Sequence, residues 1–288
     1  MSGDSSSPHY WSERHHRGPK SVPLDLKQLK GLVENVLDDL WQRGFFQEAL
    51  GYECVDAGTV PGTTGRDPSA WFLRTLHRDN IWPYELAISS WDEDTLLDVI
   101  EVFHDLCSQG VTGRFHSFND CGMHYETFDR KQGHVEYRQL MNPVLSRYER
   151  PLELGPDGRL VEATPDEFRA LLAAEIPEAA DRSLVERRLD DAVTLFRSRS
   201  SASADRRRAV RDLADVLEPL RSTIKTEALS KDESELFRLA NGFAIRHNNR
   251  EQLGLYDDDI WLRWAFYVYL ATIHATLRLQ ARQAHANA

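Results

Sequence analysis

Two stretches of the chain bring together residue types able to do chemistry. In LFRLANGFAIRHNNR, Leu236, Leu239, Ala240, Phe243 and His247 recur at the spacing of one helical face, so a helix over 233–249 carries His247 on its apolar side. Arg246 and Arg250 border that stripe one turn apart, with Asn241 on the same helix. An imidazole titrates near neutral pH and a guanidinium grips phosphate oxygens in a fork, so this helix end is a candidate phosphate site. A hydrogen-bonded core histidine, flanked by arginines that suit the helix dipole, accounts for the same pattern. In FHSFNDCGMHYETF, His116, Cys121 and His124 are metal-ligand types at short spacing, with Cys107 or His104 as the fourth donor. Structural zinc sites usually show two tight ligand pairs, and no CxxC or HxxxH is present. The expectation is therefore a packed aromatic loop without stoichiometric zinc, and no metal or other cofactor in the chain.

The elements that must position these residues follow from periodicity. Residues 1–23 are rich in Ser, Pro and His and read as a disordered tail, in which His9, His15 and His16 are solvated. Leu26, Leu29, Val33, Leu37 and Leu40 share one face of a first helix ending near Gly44. The glycines and Pro61 between 51 and 68 predict a surface loop, and PGTTGR lacks the Gly-Lys-Ser/Thr of a phosphate-cradling loop. Ser90 and Glu93 form a capping box for a helix whose apolar face runs through Leu97, Ile100, Phe103, His104 and Cys107. Residues 135–148 suit a helix interrupted near Asn142 and Pro143, and LELGPDGRLV reads as a hairpin turning at Pro156, Asp157 and Gly158.

From Thr164 onward the pattern is helical throughout. Pro165 and Glu167 start one helix, and Ser183 with Glu186 starts a second carrying Val185, Leu189, Ala192 and Phe196. The segment RSRSSASADRRR is expected to be flexible and basic. A third helix follows with Val210, Leu213, Leu217, Leu220 and Ile224, bent at Pro219. Asp257, Asp258 and Asp259 cap a last helix over 260–280 that is apolar nearly all round. Such a helix must be covered, which predicts a bundle core or a homodimer interface. Arg263, His274 and Arg278 within or beside it argue against a membrane span.

The fold expected is mainly α: a tail (1–23), an α-rich first domain with a minor β-hairpin (24–155), and a helical bundle (156–288). With 288 residues, 41% hydrophobic and 28% charged, the chain has the composition of a globular protein able to bury two cores. Three cysteines and no apolar leader point to free thiols in a reducing cytoplasm. A net charge of −11 excludes a protein that coats nucleic acid by overall attraction. Charge is uneven, however. Residues 24–110 hold 6 basic and 16 acidic groups and residues 182–211 hold 9 basic and 4 acidic, so Arg206, Arg207 and Arg208 are the expected polyanion contacts.

The succession LVEATPDEFRALL, LFRSRSS, RRRAVRDLADVLEPLR, LFRLANGFAIRHNN and the aromatic last helix resembles the C-terminal domain of bacterial abortive-infection proteins, a HEPN-like helical domain. HVEYRQLMNPVLSRYERPLELGPDGRLVEA looks like the end of the variable domains that precede it. The resemblance implies phage defence and a homodimeric, metal-independent RNase acting on RNA, tRNA included. A histidine would promote attack by the ribose 2′-hydroxyl and an arginine would stabilise phosphate charge, roles that fall on His247 and Arg246. The family's usual arginine-to-histidine spacing is wider than the adjacent pair found here. A non-catalytic sensor or binding module is therefore the alternative.

Overall fold

The computed structural model describes residues 22–164, 166–172, 174, 182–198, 201–227 and 257–286. The protein is mainly α with small antiparallel hairpins, and it divides into two units, Met1–Leu160 and Val161–Ala288. The division falls a few residues beyond the expected boundary, within the hairpin expected there. That hairpin is formed by β5 (Leu152–Leu154) and β6 (Leu160–Glu162).

The first unit starts with α1 (Leu26–Gln42). Its capping box is made by Asp25, whose side chain accepts from Gln28 N while the Gln28 side chain accepts from Asp25 N. Leu29, Val33, Leu37 and Leu40 are buried, as their spacing requires. Short helices α2 (Gln47–Leu50), α3 (Pro68–Leu76) and α4 (Tyr84–Ala87) lead to α5 (Glu93–Leu106). The N-cap of α5 is Asp92, whose carboxylate accepts from Thr95 N at 2.8 Å. The expected cap, Ser90, instead donates to Ala87 O and closes the preceding turn. Helix α6 (Arg130–Leu145) begins earlier than expected because Asp129 caps it through Gln132 N, and it continues past Pro143 to Leu145. Asn142 does mark a junction, since its side-chain amide pairs with both Leu154 N and Leu154 O on β5.

Rings fill the centre of this unit. Phe103 on α5 meets Phe46 edge-on at 5.1 Å, Tyr84 edge-on at 5.6 Å and Phe72 in a stack at 5.7 Å. The hydroxyls of two of the buried tyrosines have partners: Tyr84 donates to Asp38 and Tyr137 to Ile100 O.

Next to Phe103 in the chain, His104 is almost fully buried, with its ring 4.1 Å from that of His134 on α6. Gly158, at φ 77, closes over it so tightly that a Cβ there would lie 2.1 Å from His104 Nδ1. Burial, then the neighbouring His134, pulls the His104 pKa down to about 4. The unfolded chain, with a histidine near 6.5, binds this proton more readily than the folded one. Stability attributable to His104 is therefore whole above pH 6.5 and is lost as the pH falls towards 4. A His104→Gln variant is expected to flatten the wild-type stability profile over that window by up to about 1.4 kcal/mol per pH unit. Denaturant melts at stepped pH check this, and parallel profiles would refute it.

The second unit packs α7 (Asp166–Leu172), α8 (Arg182–Arg197), α9 (Ser203–Glu227) and α10 (Asp258–Ala286) around a core of Leu189, Ala192, Phe196, Leu213, Leu217, Phe266, Leu270 and Ile273. Phe196 stacks on Phe266, and Phe168 on Tyr267, each at 4.0 Å. Asp257 caps α10 through Ile260 N, and α9 runs through Pro219. The basic DRRR run expected to be flexible forms the start of α9, where Asp205 folds back to accept from Ala202 N. Among the described residues no helix is long and apolar enough to cross a membrane.

Candidate metal centre

The stretch expected to be a packed aromatic loop is a hairpin of β3 (Gln109–His116) and β4 (Gly122–Asp129), turned by Ser117–Cys121 with Asn119 at φ 52. Its strands were hidden by polar and glycine residues, which obscure the alternation that reveals a half-buried strand. In the register His116 opposes Gly122 and Arg114 opposes His124. Cross-strand partners and residues two apart lie on one face, so both histidines share a face and Cys121 enters at the turn beside them.

The segment expected to be loop after Gly51 is also a hairpin, with β1 (Tyr52–Cys54) paired to β2 (Gly58–Val60). Gly51, at φ 78, lets the chain enter β1 where a Cβ would meet Val60 O at 2.0 Å. This entry delivers Cys54 to the end of β1. The two hairpins are drawn together by α2: Gln47 donates through Nε2 to Met123 O at 2.8 Å and accepts from Tyr125 N at 3.1 Å. Tyr52 stacks on His124 at 4.3 Å.

Their junction gathers four donors. Ligand atoms of Cys54, His116, Cys121 and His124 all lie within 4.8 Å of one another, and Cys54 Sγ is 3.7 Å from His116 Nδ1. A tetrahedral zinc with bonds of ~2.3 Å to sulfur and ~2.0–2.1 Å to nitrogen requires sulfur and nitrogen roughly 3.5 Å apart. The set thus stands near the spacing a zinc ion would impose.

Four further features fit a cation at the centre of the four. His116 Nε2 faces Asp56 Oδ2 at 3.2 Å, which leaves Nδ1 as the inward donor and supplies the carboxylate that typically orients a metal-bound imidazole. His124 Nε2 is buried with no hydrogen-bond partner, a costly state for a polar atom unless something else binds it. The backbone N–H groups of Ala57 and then Asp56 hold the Cys54 thiol below its ordinary range, favouring thiolate. Burial, with His116 and Arg114 nearby, also lowers the His124 pKa and so favours the neutral, ligating imidazole.

The fourth donor is Cys54, not Cys107 or His104. Cys107 is buried against Gly133 O with its thiol pushed up to about 12, and His104 belongs to the pair with His134. Sequence reasoning missed Cys54 because 62 positions separate it from His116 and no short motif spans such a gap. The available signal was local: a cysteine between Gly51 and Gly58 at a strand end, and another just before Gly122. An Asp56→Asn change should weaken zinc binding about 10–100-fold with the fold intact. Competition with a chelator of known affinity measures this, and unchanged affinity would remove Asp56 from the site.

The other expected site residues divide in two. Asn241, Arg246, His247 and Arg250 lie outside the described residues. Arg206, Arg207 and Arg208 lie in the first turns of α9. Arg206 is mostly buried: it pairs with Glu162, which also binds Arg263 at 3.0 Å, and it reaches Asp259 at 3.2 Å. Its fork is thus spent inside the second unit, while Arg208 is exposed.

Comparison with protein-family models, with curated protein sequences and with solved structures finds no match.

Proposed function

We propose that the chain is a zinc-bearing effector, with a structural zinc in its first unit and a helical second unit that acts on or recognises RNA. One observation carries the zinc reading: four donors from separate segments meet within 4.8 Å, and one of them, His124 Nε2, is buried without a partner. Two thiolates and two imidazoles in tetrahedral array are a zinc donor set, and four protein ligands leave no open position for a substrate water. The metal's role is then to hold β1/β2 and β3/β4 together, giving a rigid presenting surface. Cobalt substitution tests the donor set. The account expects the intense visible absorption of tetrahedral Co²⁺ with thiolate charge-transfer bands. Weak octahedral absorption would contradict it.

The effector half of the proposal rests on the resemblance to abortive-infection proteins and on the basic bias of residues 182–211. In that reading the partners are RNA and a second copy of the chain, and His247 and Arg246 are the candidate catalytic pair. The non-catalytic reading has its own support, because Arg206, one of the expected RNA contacts, is held by Glu162 and Asp259. Total RNA from cells expressing wild type or His247→Ala separates the two. Cleavage by wild type alone supports the RNase, and intact RNA with both supports the binding module.

A further inference from the structure

The three cysteines sit in sharply different settings. Cys54 is buried in the donor cluster, and Cys121, in the same cluster, is only partly buried. Cys121 also lines an open cavity of about 650 Å³ between the end of α1 and the β3/β4 hairpin, walled by Trp41, Phe46, Gln47 and Phe115. Small solutes entering from this side therefore meet Cys121. Cys121 occupies a turn and precedes Gly122, at φ 83, which allows local backbone adjustment. Cys107 is fully buried elsewhere, against Gly133 O.

We infer that Cys121 is an oxidation site for hydrogen peroxide, and that Cys54 resolves the oxidised sulfur and thereby expels the metal. The inference rests on the zinc reading above. The Cys121 thiolate attacks one peroxide oxygen, the O–O bond breaks, and hydroxide departs, leaving a sulfenic acid. The Cys54 thiolate then attacks that sulfur, forms the S–S bond and releases a second hydroxide. Two thiolates lose two electrons and one peroxide gains them. Zinc does not change oxidation state. It loses both sulfur ligands, retains only His116 and His124, and dissociates. The cluster already holds the two sulfurs within 4.8 Å, so closing the bond requires a small local shift.

The test uses the full-length chain purified with its metal, treated with graded hydrogen peroxide. Released zinc is followed with a chromogenic chelator, and cysteine linkage is mapped by mass spectrometry. The expected result is about one zinc released per disulfide, a joined Cys54–Cys121 peptide, reversal by thiol reductant plus zinc, and identical behaviour of Cys107→Ser. Retention of zinc with both thiols reduced, or zinc loss without the joined peptide, would overturn the inference while leaving the zinc reading in place. A protein carrying no zinc before peroxide would overturn both.

Discussion

A Cys54→Ala protein is expected to purify without zinc and to unfold about 2–5 kcal/mol more easily than wild type, the scale on which loss of a native cross-link is felt. The physical reason lies in how little else holds the hairpins. Strands β1 and β2 have three residues each, and two-stranded hairpins are marginal in water. Apart from the four donors, the junction is tied by the Gln47 amide, the Tyr52–His124 stack and the Asp56–His116 pair. In small zinc modules the apparent binding free energy reaches roughly 10–16 kcal/mol and is largely folding free energy. Here the α1/α5/α6 core contains none of the four donors, so only the share belonging to the hairpins is expected to be lost. Denaturant melts with and without chelator read the effect. A wild-type midpoint for Cys54→Ala, or one insensitive to chelator in wild type, would refute it.

A Phe103→Ala change is expected to cost the first unit about 3–5 kcal/mol, because the removed ring leaves a cavity that Phe46, Phe72 and Tyr84 cannot jointly fill. This loss comes from the core and not from the metal centre. Under native conditions the variant should therefore retain a full complement of zinc, with a lowered denaturant midpoint. Loss of zinc in parallel with stability would mean that core and centre form one cooperative element.

The sequence was legible wherever a single element declares itself through its own spacing. The stripe Leu29, Val33, Leu37, Leu40 needs no tertiary information, and neither does the Pro156–Gly158 turn or the Asp257 cap. Helix boundaries were less legible because neighbouring groups compete for the same role: Asp92 caps α5 while Ser90 serves the turn before it. The two hairpins were missed for a different reason. Their strands are short or polar, and they are fixed by contacts with α2 and with each other and not by an apolar alternation of their own. The same non-local assembly hid the fourth donor, since Cys54 and His116 meet only after the chain between them has folded. His116, Cys121 and His124 could be read as candidates from residue type, yet the absence of paired motifs led to the expectation of no zinc. Pairing is a property of local motifs, whereas this donor set is collected from two hairpins. Arg206 illustrates the converse, a basic residue in a basic run whose charge is satisfied internally by Glu162 and Asp259.

The central claim is that Cys54, His116, Cys121 and His124 hold one zinc ion, and elemental analysis of the protein purified without added metal tests it most directly. The account predicts close to one zinc per chain in wild type and a loss of nearly all of it in Cys54→Ala and His124→Ala, because a structural zinc contributes folding energy and co-purifies. Wild-type protein with less than roughly a tenth of an equivalent, the level of adventitious contamination, or variants that retain the wild-type content, would contradict it.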